Sequence, residues 1–201
     1  MPRGRYTTPE GQERFQCAPG PTGWRYVSET VGPDGAPTGS LDLTLDALGR
    51  PVRLHLRTAD WQVRGGTLDG LSWVRMAADG ADAREGNAPA HAFAGTSPAF
   101  LVAMAHLLRL SAPGASARLR LADFAPPALA PRTREEGWTL AGRETHHAED
   151  GRTLAVDTYH VDDLETGERR TLHLSGDVIL AAPGIELEEL DTPPSTLRTA
   201  E

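Results

Sequence analysis

Short runs in which apolar and polar residues alternate dominate the chain. Leu41, Leu43 and Leu45 alternate with Asp42, Thr44 and Asp46, and Val52, Leu54 and Leu56 alternate with Arg53, His55 and Arg57. A period of two places one set of side chains on each face of a half-buried strand. Glu13 to Cys17, Trp24 to Val31, Trp61 to Arg64 and Leu71 to Arg75 read as further strands. Clusters rich in Gly and Pro separate them: Ala18 to Gly23, Gly32 to Gly35, Leu48 to Pro51 and Asp69-Gly70. Such clusters break regular structure and turn the chain. The first half therefore predicts an antiparallel meander. Ala77 to Pro89 is small, polar and Gly-rich, and reads as an exposed loop.

The period changes once. Gly95 to Leu110, GTSPAFLVAMAHLLRL, places Phe100, Leu101, Met104, Leu107 and Leu108 on one helical face. Thr96 and Ser97 can cap, and Pro98 suits the first helical position, where its missing N–H costs nothing. Pro113 and Gly114 follow where a stop is required. A helix over 97–110 between β-rich halves braces or plugs a sheet.

After the helix the alternation returns in a similar order. Gly137-Trp138 corresponds to Gly23-Trp24, Leu154 to Val161 stands in the place of Leu41 to Asp46, and Thr171-Leu-His-Leu174 echoes Arg53-Leu-His-Leu56. The separations are near ~115 residues, which is ordered self-similarity. The expected fold class is mainly β: an antiparallel barrel or half-barrel of two meander repeats with one helix between them. The expected boundaries are one domain over 12–187, with repeat one over 12–76, the helix over 97–110 and repeat two over 117–187. The ends, 1–11 and 188–201, read as flexible, so deleting Glu188 to Glu201 is expected to leave stability nearly unchanged.

Composition narrows the function classes. The chain has 201 residues and a net charge of −8, from 20 basic and 28 acidic residues, and every basic residue is arginine. An acidic chain without basic clusters argues against nucleic acid and against docking on anionic lipid. No apolar run approaches the ~20 residues of a membrane span, and the N-terminus lacks the apolar segment of a secretory signal. A cytoplasmic location is the expectation. Cys17 is the single cysteine, which excludes an internal disulfide and a cysteine-based zinc cluster.

Candidate chemistry is sparse. His146, His147, Glu149 and Asp150 form the densest cluster of metal-ligand types, but neighbours on a strand point to opposite faces. His55 and His173 hold matching places between leucines. Asp157, Asp162 and Asp163 in one half, and Glu29, Asp42 and Asp46 in the other, read as solvated strand faces. No nucleophile elbow, phosphate loop, dinucleotide fingerprint or zinc-protease motif occurs. Neither a catalytic residue, a metal nor a cofactor is expected. The four tryptophans, Trp24, Trp61, Trp73 and Trp138, all fall on predicted strands. On the concave face of a curved sheet they make either a core or the wall of an apolar cavity.

Several segments together resemble a glycolipid-binding family of bacterial proteins. Gly23-Trp-Arg25, followed by Val52 to Arg64 with RLHLRTADWQVR, is similar to that family's early strands, Asp60, Trp61 and Arg64 approximating its D-x-W-x-x-R element one residue short. Gly95 to Leu110 resembles its T-P-F-x-x-x-x-P-x-R-L segment, with Phe100 to Leu107 more helical and more apolar. Arg118 to Leu129, RLRLADFAPPAL, resembles its next strand and Pro-rich bend. Asp177 to Gly184, DVILAAPG, resembles its closing motif without the tyrosine. The likeness spans about residues 13 to 185 and implies a duplicated β-barrel or half-barrel with a lipid or glycolipid cavity. It brings no catalytic residues.

The expected function is a non-enzymatic binding module for an amphipathic ligand, a glycolipid or another lipid. The cavity candidates are Trp24, Trp61, Arg64, Trp73, Phe100, Met104, Trp138 and Tyr159. A structural or protein-interaction domain is the alternative, and a small hydrolase or isomerase a further one. The sequence leaves the oligomeric state open.

Overall fold

The computed structural model describes residues 1–147 and 153–195. It consists of strands β1 (Arg3–Thr8), β2 (Gly11–Gly20), β3 (Gly23–Val31), β4 (Pro37–Asp46), β5 (Pro51–Thr58), β6 (Trp61–Leu68), β7 (Gly70–Ala77), β8 (Ala83–Ala88) and β9 (Ala92–Ala94), helix α1 (Pro98–Leu108), and strands β10 (Ser116–Ala125), β11 (Ala130–His147), β12 (Thr153–Asp163), β13 (Arg169–Ser175), β14 (Val178–Ala182) and β15 (Ile185–Leu190). All fifteen strands share one sheet, ordered β8-β7-β6-β5-β4-β3-β2-β1-β15-β14-β13-β12-β11-β10-β9. The fold is mainly β with one helix, as the alternation and the single helical run predict. The sheet does not close: β8 and β9 are its two ends.

Each half is an antiparallel meander, because its connections are tight turns of the kind the Gly/Pro clusters predict. The halves join in the middle of the sheet, where β1 pairs antiparallel with both β2 and β15. β9 pairs parallel with β10, the one parallel pairing among the described residues.

The pleat sorts side chains as the alternation implies. Phe15 and Cys17 on β2, Trp24 and Tyr26 on β3, Leu41, Leu43 and Leu45 on β4, Trp138 and Leu140 on β11, and Leu172 and Leu174 on β13 are buried. They form one continuous core with Phe100 and Met104 of α1. Each large apolar side chain so buried contributes roughly 1.5–3 kcal/mol. Tyr6, Phe15 and Tyr26 stack with ring centroids 4.7 and 5.5 Å apart, joining β1, β2 and β3.

The helix starts where Ser97 and Pro98 predict. The Ser97 hydroxyl accepts the Ala99 N–H at 3.3 Å, and Pro98 is the first helical residue. It stops two residues earlier than expected, at Leu108, because Arg109 takes a left-handed conformation (φ 48°) and its N–H returns to the Ala105 carbonyl. The Arg109 guanidinium donates to the Ala47 carbonyl, tying the helix end to the β4–β5 turn.

Three expectations are overturned. Residues 3–8 are not a flexible arm but β1, between β2 and β15. Only Tyr6 there is large and apolar, so no hydrophobic alternation marks the strand; Gly4 lies close beneath the partner, where an added Cβ would meet the Glu189 carbonyl oxygen at 2.2 Å. The segment from Glu188 is likewise not loose at its start. β15 runs to Leu190, Glu188 accepts from Arg5 at 2.7 Å, and the Ser195 N–H donates to the Asp177 carboxylate at 2.9 Å. Residues 196–201 of the expected tail lie outside the described residues. Third, the polar stretch over 77–89 contains strand β8. Its residues are mostly exposed, so it lacks an apolar stripe, and its Gly86 makes room for the Trp73 indole, which would lie 2.7 Å from a Cβ.

Candidate functional site

One cleft of about 270 Å³ opens where the ends of β1, β2, β3, β4 and β5 approach the start of α1 and the β10–β11 turn. Its geometry follows from strand phase. On β2 the residues in phase with Phe15 and Cys17 point inward, and the next in that series is Glu13. Its carboxyl is 2% exposed. Burial pushes its pKa above the ordinary carboxylate range.

Two hydroxyls hold Glu13, and a third lies beside it. Tyr26 donates from β3 at 3.0 Å, and Ser97 donates from the helix cap at 2.7 Å. The buried Ser28 hydroxyl lies beside the carboxyl and helps to hold its pKa down against burial. Ser97 thus serves two structures at once, capping α1 and fixing Glu13. A buried carboxyl with this many hydroxyl partners is satisfied in place, and removing one partner leaves a costly unpaired group.

The rest of the cleft has two chemical sides. Thr8, Thr30, Thr38, Ser40, Thr58 and Thr96 supply hydroxyls. Of these, Thr30, Ser40 and Thr96 make no side-chain hydrogen bond among the described residues. Leu41, Leu56, Phe100, Phe124, Pro126 and Pro127 supply the apolar side. Arg57, Glu10 and Asp60 stand exposed at the mouth. The β10–β11 turn that carries the prolines is pinned across the opening: Thr58 donates to the Pro127 carbonyl at 3.0 Å, and Arg75 donates twice to the Ala128 carbonyl at 2.9 and 2.7 Å.

Of the eight cavity candidates, only Phe100 lines this cleft. Trp24, Met104, Trp138 and Tyr159 are buried in the core instead. Trp24 lies against Tyr26 and His106, Trp138 donates its indole N–H to Glu136 at 2.8 Å, and Tyr159 packs edge-on to Trp138. Burial, with Asp157 nearby, pushes the Tyr159 hydroxyl up to about 12. Trp73 is half-buried, edge-on to Phe124, and Trp61 is half-buried under the Arg75 guanidinium, 3.2 Å from its ring centroid. Arg64 is exposed, since it falls out of phase with buried Val63. Trp24 and Trp138 fill the core, and Trp61 and Trp73 pack half-buried against it rather than line the cleft.

The residue that sequence reasoning missed is Glu13. The signal was present, because Glu13, Phe15 and Cys17 share one strand face, and a carboxyl on an apolar face marks a special environment. The other polar clusters are dispersed. His55 faces Gln62 at 3.4 Å and His173 faces Thr158 at 3.1 Å, on separate strands. His146 approaches Glu144 at 3.5 Å, while Glu149 and Asp150 lie outside the described residues. Cys17 is a free, buried thiol 3.3 Å from the Asp177 carboxylate, and burial raises its pKa well above the ordinary thiol range.

The fold has a counterpart among solved structures. A DUF1089 family protein from Pseudomonas aeruginosa superposes with a TM-score of 0.56, over 88% of this chain and 91% of that one, at 18% identity. At that identity the likeness concerns the fold. No family model matches the chain, and no curated protein matches it significantly. No helix among the described residues is long and apolar enough to cross a membrane.

Proposed function

We propose that the chain is a non-enzymatic binding module whose cleft takes an amphipathic ligand, in the class of a glycolipid or another lipid with a polar head. The observation that carries this reading is the two-sided lining, with hydroxyl-bearing Thr and Ser residues on one side and aliphatic and aromatic carbon on the other, bordering about 270 Å³. A ligand with polar and apolar parts satisfies both sides, whereas a purely apolar ligand would strand the hydroxyls. The volume suits the junction of head and chain, with the rest of the chain lying outside along Pro126 and Pro127. No histidine lines the cleft, and the partners of Glu13 are hydroxyls, so no acid–base pair faces the opening. Binding without chemistry is therefore the better reading.

The filled core favours a second reading, a structural or interaction domain without a ligand. The two readings separate in one experiment. Titration with octyl glucoside, below its micelle concentration, is followed by amide shifts in two-dimensional NMR. The binding reading expects saturable shifts at Thr30, Ser40 and Thr96. Absence of saturable shifts there favours the structural reading. Native mass spectrometry of freshly purified protein adds a test for lipid carried through purification.

A further inference from the structure

The cleft is also asymmetric in charge. Glu10 and Asp60 stand exposed at its mouth and Glu13 is buried at its floor, while Arg57 is the single cationic lining residue. Among the described residues none of Glu10, Asp60 and Arg57 is engaged in an ion pair, and all three are exposed. The partners of Glu13 are neutral hydroxyls, which leave any charge on it uncompensated. Resting on the amphipathic-ligand reading above, we propose that the cleft selects its ligand by charge and rejects anionic head groups, with Glu10 and Asp60 as the specificity-determining residues.

The physical argument is local. A head group that enters the cleft gives up part of its water, so the field of nearby carboxylates acts on it less screened than on a free ion. Among the residues that line the cleft an anion meets two carboxylates, Glu10 and Asp60, against the one guanidinium of Arg57. It also makes ionisation of Glu13 still harder. A neutral head group meets no such opposition and can use Thr30, Ser40 and Thr96. A cationic one is drawn to the same carboxylates. The ligand class is therefore an amphiphile whose head is uncharged or positive, which excludes phosphate- and sulfate-headed lipids.

Three probes that share an eight-carbon chain test this: octyl glucoside, octylammonium and octyl sulfate, each below its micelle concentration, at physiological ionic strength. The expected order in the unaltered protein is sulfate at least tenfold weaker than glucoside, with ammonium binding at least as tightly as glucoside. Neutralising the mouth with Glu10→Gln and Asp60→Asn together should narrow the gap between glucoside and sulfate to under threefold. Both positions are exposed, and far-UV circular dichroism and Tm verify that the variant folds. A control with Glu85→Gln and Glu168→Gln, exposed carboxylates outside the cleft, changes the net charge equally and should leave the gap intact. Sulfate binding as tightly as glucoside, or a gap that the mouth variant leaves unchanged or that the control closes equally, overturns the charge selection while glucoside binding sustains the binding reading. If none of the three probes binds, the binding reading itself falls and the selection with it.

Discussion

At the residue scale, two side chains of α1 show what burial does. Met104 is 1% exposed and stands away from the cleft lining, so truncation leaves a void that the neighbours cannot fill. Met104→Ala should cost about 2–5 kcal/mol, read from urea unfolding; a cost under ~1 kcal/mol would mean that space already exists around it. Alanine keeps helix propensity, so the loss reports packing. His106 lies under Trp24, and burial lowers its pKa to about 4. The fold thus favours its neutral form, while the unfolded chain takes up the proton near ~6.5. Its contribution is complete above that value and is lost as pH falls towards about 4. The loss amounts to roughly 3 kcal/mol, and His106→Gln should flatten the pH dependence of stability across that window. Parallel slopes for the two proteins would refute the assignment.

At the element scale, the C-terminal strand is the sharpest test. Deletion of Glu188 to Glu201 removes the end of β15, the Glu188 bonds to Arg5 and Thr7, and the Ser195 contact to Asp177. Tm should fall by more than ~5 °C, since each kcal/mol is worth a few degrees in a domain of this size. An unchanged Tm would show that β15 is dispensable. The same strand shows what a sequence reveals. Strands with a full apolar stripe, such as Leu41 to Leu45, are legible because one face is buried along its length. So is α1, whose cap and proline are local signals. β1 and β8 carry too few apolar residues to show a period, and their pairing is decided by partners far along the chain. The candidate site divides in the same way: Phe100 was legible as an apolar helix residue and Glu13 by its phase with Phe15 and Cys17, but its partners Tyr26 and Ser97 come from β3 and the cap of α1, which only the fold brings together. The tryptophans fall on strands, as expected, but a residue type cannot say whether a strand face encloses space or carbon.

At the scale of the whole molecule, the order of strands in space differs from their order in the chain by a single cut. Read from β9 the sheet runs β9 to β15, then β1 to β8. The first and last strands are hydrogen-bonded neighbours, and the Asp191 N–H reaches the Arg3 carbonyl at 2.9 Å. The join at the centre of the sheet therefore cannot form until β15 has left the ribosome, and it closes a loop from β1 to β15, across nearly all the described strands, which slows folding. A circular permutant should remove this burden. Linking the old ends through a short flexible segment and opening the chain at Pro89 to His91, between the two strands that leave the sheet unclosed, makes every strand the neighbour of the one made just before it. Such a permutant should keep the native circular dichroism spectrum and fold faster than the parent in stopped-flow refolding. Equal rates would show that the join between β1 and β15 forms after the rate-limiting step.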